Sequence, residues 1–434
     1  MKELRIVSFA RKYSDVAIVL FYFLYAVSLD YGLGMIGHVY SYEGSIYLSD
    51  PIRIPFSYFL VMISAYVVGK FNLDRVAGFF CVGLFCLLIV PGIIYFMRTD
   101  VEPWKLLLLV GGYLWLLTGC HVFRKFRFKI KGVGRGRFAL YAVVFLITAA
   151  TYGLAVYYWG GKINLDISKV YEVRDDFLRN KNFLLGYLVI WQGNIINPFL
   201  FYFAMQKKHF FLAGAVAGLQ AYLFSITGVK LFLFSLVFSF FVARFSKRFN
   251  LLFPVLLSVI VILSCLIYRY AENVWFLSLF VRRTLFIPAQ ITFQYIDFFH
   301  SNPFTYLSDS VLRHFLKYPY ILPPPLMIGI RYYEGGSANT GILGNAYMNF
   351  GIIGILVFVG LFSFILSLFD RIEAFRQKES RLILACVAMP LLSITNSGLL
   401  TVLLTHGMFL ALLISYFIPE DTFTIDVRNR GTLL

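Results

Sequence analysis

The sequence predicts an all-α, polytopic integral membrane protein, and three observations support this prediction. Hydrophobic residues make up 60% of the 434 positions and charged residues only 14%, too few to cover a soluble protein of this size. The mean hydropathy is +0.77. The apolar runs are long enough for helices that cross about 30 Å of hydrocarbon, and they lack the alternating pattern of outer-membrane strands. We therefore expect a single membrane domain over residues 1–434.

Apolar windows bounded by charged residues predict about twelve membrane spans. The N-terminal segment is basic and leads into the first window without a small-residue cleavage site, so the first helix is expected to remain as an anchor. The five cysteines fall in apolar segments, where a thiol acts as a small hydrophobe, so neither a disulfide nor a zinc site is expected. The windows are 15–33, 55–69, 76–96, 105–122, 138–158, 184–205, 210–227, 231–246, 251–269, 349–369, 382–397 and 398–418.

The distribution of basic residues predicts that both termini are cytoplasmic. With that orientation most of the 39 Lys and Arg residues face the cytoplasm, as the positive-inside rule requires. The strongest contribution comes from the loop 124–137, RKFRFKIKGVGRGR, which has no acidic residue. We interpret this loop as a topology determinant that contacts anionic lipid, and we expect no nucleic-acid partner. Two long segments then lie outside, 160–183 and 270–348, and we call them the outer segments.

Amides interrupt the predicted spans at two places. The motif WQGNIINP, 191–198, lies in mid-membrane, and the motif NSGLLTVLLTHG, 396–407, adds an asparagine and a histidine to the last spans. Such groups cost free energy in hydrocarbon unless they pack against protein or line a wet cavity. They either join helices by hydrogen bonds or line a cavity, and the sequence leaves both readings open.

The outer segments are rich in arginine, on the side where the topology rule predicts little positive charge. In KVYEVRDDFLRNKNF, 169–183, Arg174 lies among carboxylates, which is typical either of a solvated helix face or of an arginine directed at an anion. In the second outer segment we expect two amphipathic helices at the bilayer surface, one within 281–301 and one over 308–316. The cations there are Arg282, Arg283 and Arg331, and Lys230 adds one at the outer end of another span.

These cations predict an external site for a lipid-linked diphosphate. The planar fork of arginine suits phosphate, and a departing diphosphate needs its developing charge stabilised. The alternative is that each arginine extends to lipid headgroups.

The stretch GGSANTGILGNAYMNFG, 335–351, puts amides and glycines at the mouth of the tenth predicted span. Asn345 and Asn349 are four residues apart and share one face of a helix, and Asn345 is a candidate N-cap. Either the amides cap and join the helix end, or the helix N-terminus and the glycine backbone approach a diphosphate or a sugar. We include Asn339, Asn345 and Asn349 among the candidate substrate-binding residues.

From about residue 169 to residue 407, the order of these motifs resembles the Wzy-type O-antigen polymerases, the oligosaccharide repeat-unit polymerases of bacterial envelopes. The family's spacing of an arginine, ten residues and a glycine is not met, because Gly186 lies one residue too far from Arg174. The motifs that carry the resemblance are YEVR, WQGNIINP, GVKLF, RRTLFIPAQITFQYIDFF, IGIRYY, SANTGILGNAYMNFGIIG and NSGLLTVLLTHG.

The resemblance implies a multi-pass protein of the bacterial inner membrane with a GT-C-like fold. It implies an enzyme of lipopolysaccharide biosynthesis that joins undecaprenyl-diphosphate-linked repeat units in the periplasm by inverting, metal-independent transfer, without a cofactor. By position it implies that Arg174 and Arg283 contact the diphosphate, with Arg331 and Lys230 as weaker matches. The partners it implies are undecaprenyl-diphosphate-linked oligosaccharides, membrane lipids, and a chain-length regulator and a flippase of the same pathway.

Inverting transfer also needs a base that takes the proton of the attacking hydroxyl. We favour His300, because it follows an aromatic helix that could present a sugar. Tyrosines in the second outer segment are candidates for stacking on sugar rings. No carboxylate pair predicts a metal site. The remaining candidate bases are His314, Glu172, Asp175 and Asp297, and the stacking candidates are Tyr295, Tyr332 and Tyr333.

Three other functions remain open at this stage. An O-antigen ligase, which transfers glycan to the lipid A core, would share the fold and the leaving group. A flippase for lipid-linked sugar would concentrate its charges inside the bundle and keep its outer segments short. A structural envelope protein would not need clustered arginines on the outside.

Overall fold

A computed structural model describes residues 2–40, 47–70, 75–126, 136–161, 163–164, 166, 169–310, 312–333, 335–375 and 379–418. Within these ranges the chain is all-helical and contains no strand. Most of the basic loop 124–137 lies outside the described residues, and so does the C-terminal segment 419–434.

The helices are numbered in chain order, and three π-helical segments interrupt them. The π-helical segments are Phe85–Ile89, Gln192–Ile196 and Leu277–Phe286. The α-helices are α1 (Lys2–Val39), α2 (Arg53–Gly69), α3 (Val76–Leu84), α4 (Val90–Arg98), α5 (Pro103–Lys125), α6 (Gly136–Trp159), α7 (Val170–Asn180), α8 (Phe183–Trp191), α9 (Asn197–Gln206), α10 (Phe210–Thr227), α11 (Leu231–Phe245), α12 (Phe249–Ala271), α13 (Val274–Phe276), α14 (Ile287–Ser301), α15 (Pro324–Tyr333), α16 (Ile342–Phe375), α17 (Ser380–Ile394), α18 (Leu399–Leu404) and α19 (Met408–Phe417).

Among the described residues, nine helices are long and apolar enough to cross a membrane, so the protein has the character of a multi-pass membrane protein. Eight of them coincide with predicted windows, and the ninth is Val274–Ser301 in the second outer segment. The other four predicted windows coincide with shorter apolar helices: Arg53–Gly69, Leu231–Phe245, Ser380–Ile394 and Met408–Phe417. The all-helical membrane class is therefore confirmed, whereas twelve crossings remain a prediction.

The chain divides into two compact units. Unit 1 contains the second outer segment, and unit 2 contains the first outer segment. Unit 1 comprises Met1–Phe126, Lys247–Ser367 and Leu391–Leu399, and unit 2 comprises Arg127–Ser246, Leu368–Pro390 and Leu400–Leu434.

Unit 1 is built around the continuous helix Val76–Arg98, whose apolar window is completely buried. A π-helical segment in its middle disturbs the regular backbone hydrogen bonding of an α-helix. Tyr25 donates its hydroxyl to the carbonyl oxygen of Cys86 at 2.8 Å, and Tyr113 donates to that of Cys81 at 2.9 Å. Phenols from α1 and α5 therefore supply the hydrogen bonds that hydrocarbon cannot.

An ion pair buried at one end of unit 1 joins α1 to α4. The Nε and Nη2 atoms of Arg98 donate to the two carboxylate oxygens of Asp30 at 2.7 and 2.6 Å, and the two residues are only 9% and 8% exposed. Tyr47 and Tyr58 each donate a hydroxyl to the same carboxylate at 2.9 Å. Burial and the hydrogen bond to Asp30 raise the pKa of Tyr47 to about 12. The additional hydrogen bonds offset the desolvation that a buried ion pair suffers.

The helix Val274–Ser301 does not cross unit 1, because both of its ends lie at the end where Asp30 and Arg98 meet. The Arg282 guanidinium lies 4.4 Å from the centre of the Tyr40 ring, immediately after α1. At the other end of the helix, the His300 ring lies 4.7 Å from that of Trp104, at the start of α5. Since α1 and α4 end on this side of the unit and α5 begins there, the helix returns to the end from which it started.

The second amphipathic helix expected in this outer segment, over 308–316, is wrong for the described residues, which form successive turns. Tyr306 and Leu307 have positive φ angles of 52° and 63°. The Asn349 side-chain oxygen accepts hydrogen bonds from the Thr305 hydroxyl at 2.8 Å and from the Leu307 N–H at 2.7 Å. These two adjacent left-handed residues turn the chain just before residue 308, and the amide of Asn349 stabilises that turn.

The helix Ile342–Phe375 is a helical hairpin rather than one straight helix. Phe350 and Gly351 leave the helical conformation, with φ/ψ of −146°/20° and 60°/−139°. A Cβ atom on Gly354 would overlap the carbonyl oxygen of Ala346, although eight residues of straight helix rise about 12 Å. The arm 342–349 therefore folds back against the arm that follows Gly351, and the predicted tenth span begins after this reversal.

Replacing Arg98 with Ala is expected to lower the free energy of unfolding by about 3–5 kcal/mol, because it leaves the Asp30 carboxylate buried without its counter-ion. Lys70→Ala is the control, since Lys70 pairs with Asp15 near the surface and such pairs contribute about 0–1 kcal/mol. Unfolding of the purified proteins in detergent, induced by heat and by denaturant, measures the change in the free energy of unfolding for both variants. Equal stability of the two variants would contradict the structural role of the Asp30–Arg98 pair.

Replacing Gly351 with Ala is expected to destabilise the hairpin by about 1–3 kcal/mol, because the backbone conformation at this residue is unfavourable for any side chain. The new methyl group would also lie 2.9 Å from the Phe304 ring. Gly360→Ala, in the regular part of the same helix, is the control: its Cβ meets only the Trp115 indole nitrogen at 3.7 Å. We expect the same unfolding measurement to show no destabilisation for this control, and a gain of up to about 1 kcal/mol, because alanine favours a helix interior over glycine.

Candidate functional site

The candidate residues of the first outer segment and the TGVK turn lie together in unit 2. A Cβ atom on Gly228 would lie 2.5 Å from the carbonyl oxygen of Val170 and 3.3 Å from the Cβ of Arg174, so α7 packs directly on the turn between α10 and α11. Gly228 has a φ of 64°, which ends α10, and Lys230 follows two residues later. The structure therefore brings Arg174 and Lys230 to the same part of unit 2.

The arginine on α7 is available to a ligand. Arg174 is exposed, and within the described ranges its side chain forms neither an ion pair nor a hydrogen bond, although carboxylates flank it in the sequence. Asp176 instead accepts hydrogen bonds from the Trp159 indole at 3.2 Å and from the Asn180 amide at 2.7 Å. The Phe177 ring of the same helix packs in the buried cluster of the unit, which orients the helix. A ladder of ion pairs, the other reading of this segment, is not seen for Arg174.

Two of the three amides of WQGNIINP, Gln192 and Asn197, join helices in unit 2, whereas the Asn194 side-chain oxygen is buried without a hydrogen-bond partner among the described residues. The Gln192 amide donates to Asn197 Oδ1 at 2.8 Å, and the Asn197 amide donates to Gln220 Oε1 at 2.6 Å. Gln220 donates in turn to the carbonyl oxygen of Gly193 at 3.1 Å and to the hydroxyl of Ser235 at 2.7 Å. These buried side chains satisfy one another and a carbonyl of the π-helical segment. Of the two readings of this motif, the contacts favour hydrogen bonding between helices.

In unit 1, the two adjacent arginines of the second outer segment have different environments. Arg282 is half-buried against the Tyr40 ring. Arg283 is exposed, and its guanidinium has no ion pair or hydrogen-bond partner in the part of the chain that the structure describes. An arginine held by a helix backbone but not neutralised by the protein can form a bidentate contact with an anion.

A second cluster of functional groups lies at the other end of the same helix. Lys105 forms an ion pair with Asp297 and another with Glu102 at 3.0 Å. Tyr332 donates its hydroxyl to Asp297 Oδ2 at 2.8 Å, and Arg331, beside it on α15, is exposed. The hydrogen bond and the charge of Lys105 lower the pKa of Glu102, whereas burial and the hydrogen bond to Asp297 raise that of Tyr332. We call Glu102, Lys105, Asp297 and Arg331 the polar rim.

Two rings lie beside the polar rim, and we call Trp104 and His300 the aromatic shelf. The Trp104 indole N–H donates to Glu102 Oε2 at 3.1 Å, and its ring is tilted by 43° to that of His300. His300 Nδ1 lies 3.3 Å from the hydroxyl of Tyr347, a buried residue. Hydrogen bonds thus fix the orientation of both rings while the imidazole remains exposed. Sequence reasoning missed Trp104 and Lys105, because they fall at the edge of an apolar window and resemble ordinary interfacial residues.

Two residues that were expected to act together have different contacts. Arg283 and His300 lie on one continuous helix, Val274–Ser301, and the 17 residues between their positions correspond to about 25 Å of α-helix. No contact among the described residues joins the two side chains: His300 contacts Trp104 and Tyr347, and Arg283 has no partner there. A role for His300 as the base beside Arg283 stays a prediction.

Tyr295 and Asn349 are structural in this conformation. Tyr295 is 1% exposed and donates its hydroxyl to the carbonyl oxygen of Ala338 at 2.9 Å, so its ring is not accessible to a sugar. Asn349 is also 1% exposed, and its NH₂ group donates to the carbonyl oxygen of Asn345 at 2.8 Å while its oxygen stabilises the turn at Thr305. These contacts give Tyr295 and Asn349 a role in packing, and neither side chain is accessible to a substrate.

The other two asparagines of the 335–351 stretch differ in environment. Asn345 is not the N-cap, since the helix begins at Ile342 and the Asn345 N–H already donates to the carbonyl oxygen of Gly341 at 3.0 Å. Its side chain packs against Gly398, where a Cβ atom would overlap it. Asn339 is exposed. A substrate contact by Asn339 remains a prediction.

The candidate residues thus form three groups: Arg174 with Lys230 in unit 2, the arginines beside Tyr40 in unit 1, and the aromatic shelf with its polar rim. In the described ranges, no three His, Cys, Asp or Glu residues lie close enough to hold a metal ion. Comparison with protein-family models, with curated proteins and with solved structures finds no match to this chain.

Proposed function

We propose that this protein joins undecaprenyl-diphosphate-linked oligosaccharide repeat units into polysaccharide on the periplasmic side of the bacterial inner membrane. The observation that carries the proposal is the environment of Arg283. Its guanidinium is exposed, and no carboxylate among the described residues pairs with it. The neighbouring Arg282 places this part of the helix at one end of unit 1. The motif order of the Wzy-type polymerases supports the same reaction. The proposal includes twelve crossings, cytoplasmic termini and a GT-C-like arrangement.

In this reaction, a sugar hydroxyl of one lipid-linked unit attacks the anomeric carbon of the glycan on another carrier. The bond between that carbon and the phosphate oxygen breaks, and the undecaprenyl diphosphate leaves with the electron pair. Arg283 stabilises the charge that develops on the departing diphosphate at unit 1. Arg174 and Lys230 form a separate pair of cations in unit 2. Because the diphosphate is a good leaving group, the transfer needs neither a strong acid nor a metal.

The proton of the attacking hydroxyl passes to a base near the reacting carbon. His300 stays the favoured candidate, and its described contacts are with Trp104 and Tyr347. Glu172 and Asp175, exposed on α7 of unit 2, also stay candidates. Asp297 is a weaker candidate, because it is already the acceptor for Lys105 and Tyr332.

An O-antigen ligase would use the same leaving group and is the nearest alternative. A flippase is less consistent with the environments of Arg174 and Arg283, whose exposed side chains do not line a bundle interior. Deleting the gene and viewing the envelope polysaccharide on a gel separates the functions. Loss of the ladder with a core carrying one repeat unit supports a polymerase, loss of all core-linked bands supports a ligase, and lipid-linked units trapped inside support a flippase.

Complementing the deletion with Arg283→Ala is expected to abolish the ladder, because removing one charge-stabilising donor lowers such rates by about 10²–10³-fold. Arg283→Lys is expected to restore a partial ladder, since lysine keeps the charge and loses the bidentate geometry. Arg313→Ala is the matched control: Arg313 is an exposed arginine of the same outer segment, and its Nε contacts the neighbouring His314. A full ladder from Arg283→Ala would refute the diphosphate assignment.

Replacing Gly228 with Ala is expected to shorten or abolish the ladder by displacing α7, because the new methyl group would lie 2.5 Å from the carbonyl oxygen of Val170. Gly218→Ala on the same helix, α10, is the control, since its Cβ meets no atom within 4 Å. Immunoblots of membranes check that both variants accumulate to wild-type levels. A wild-type ladder from Gly228→Ala would argue against a role for α7 and Arg174.

A further inference from the structure

We infer that the aromatic shelf, Trp104 with His300, is a carbohydrate subsite that binds glycan sugars distant from the diphosphate. This inference deepens the proposed function and rests on it for the identity of the glycan. The subsite lies at the C-terminal end of the helix Val274–Ser301, whereas Arg282 and Arg283 lie towards its N-terminal end.

The shelf has the geometry of a preorganised sugar platform. The Trp104 indole is held by its N–H on Glu102, and His300 is held by Tyr347 from the buried side. Binding a sugar ring therefore requires little ordering of either side chain. Aromatic rings offer an apolar surface for the C–H face of a sugar, and polar groups beside them fix its orientation.

The polar rim supplies acceptors and donors for sugar hydroxyls. The side chains of Asp297 and Glu102 are 48% and 59% exposed although both pair with Lys105, which is only 10% exposed. An ionised carboxylate has about four lone-pair sites, so each retains acceptor capacity towards solvent. Arg331 is exposed on the adjacent α15 and supplies donors.

The charge of the rim distinguishes a glycan from a phosphate. Glu102 and Asp297 balance Lys105 and Arg331, so the rim is formally neutral. A neutral rim offers a lipid headgroup phosphate no net positive charge, whereas its two carboxylates accept hydrogen bonds from neutral hydroxyls. The opposite is true at Arg283, where the described residues offer no neutralising carboxylate.

The spacing along the helix agrees with this division. About 25 Å of helix separates Arg283 from His300, which is too far for a single sugar but within the reach of an extended oligosaccharide. A glycan whose diphosphate lies at Arg283 can therefore extend along Val274–Ser301 and place a later sugar on the shelf. His300 then contacts substrate as a sugar-binding residue.

The test measures binding of free glycan to the full-length protein in nanodiscs. The probe is the repeat-unit oligosaccharide of the source strain's own polysaccharide, released without lipid or phosphate, and saturation-transfer NMR with calorimetry gives the affinity. We expect wild-type protein to bind it, Trp104→Ala to weaken binding about tenfold or more, and Trp104→Phe to retain most of it, because the aromatic face persists. Trp275→Ala is the control, since Trp275 is an exposed tryptophan of unit 1 outside the shelf.

Absence of binding by the wild-type protein would overturn the inference, and so would equal affinity of wild type and Trp104→Ala. Trp104→Phe controls for misfolding at this position. If Trp104→Phe binds the oligosaccharide and Trp104→Ala does not, the aromatic ring is the contact. Arg283→Ala is expected to bind the free oligosaccharide normally, since this probe carries no diphosphate. If Arg283→Ala also supports a full ladder while Trp104→Ala loses binding, the diphosphate assignment fails and the carbohydrate subsite stands.

Discussion

Hydrocarbon offers no hydrogen bonds, so every interruption of a helix in this protein requires polar partners from the chain itself. Tyr25 and Tyr113 satisfy carbonyls along the helix Val76–Arg98, and Gln220 reaches a carbonyl beside another π-helical segment. Asn349 does the same for the turn at Thr305. Some amides that appear in the sequence as candidate ligands therefore form hydrogen bonds inside each unit, as Asn197 and Asn349 do.

This constraint explains why the candidate functional groups lie at the ends of the units. Many polar side chains in the interior bond to the backbone or to one another, whereas Arg174, Arg283 and His300 are exposed. Two of these groups are positioned by contacts inside their units. The turn at Gly228 packs against α7, which carries Arg174, and the Tyr347 hydroxyl contacts His300. Buried polar side chains therefore stabilise the fold, whereas the exposed ones are the candidates for function.

The course of the helix Val274–Ser301 determines the chemistry that unit 1 can perform. Because the helix returns to the end from which it started, it presents an unneutralised arginine and an aromatic shelf on the same side of the unit, about 25 Å apart. A glycan with a diphosphate at one end has a matching distribution of charge and hydroxyl groups. In the proposed reaction, leaving-group stabilisation and glycan binding fall to different groups, and His300 belongs to the second.

The sequence alone determined the all-helical membrane class, the positions of the apolar windows and the excess of cations in the outer segments, because hydropathy and charge are local properties of the chain. It did not determine that Val274–Ser301 returns to its own side, that Gly351 reverses the chain, or that residues 308–316 form turns. Nor did it identify Trp104 or the Asp30–Arg98 pair. These features arise from contacts between residues far apart in the chain, such as Asn349 with Leu307 and Lys105 with Asp297, and no local period encodes them. Only the tertiary structure decided that His300 contacts Trp104 and Tyr347, whereas Arg283 has no partner among the described residues.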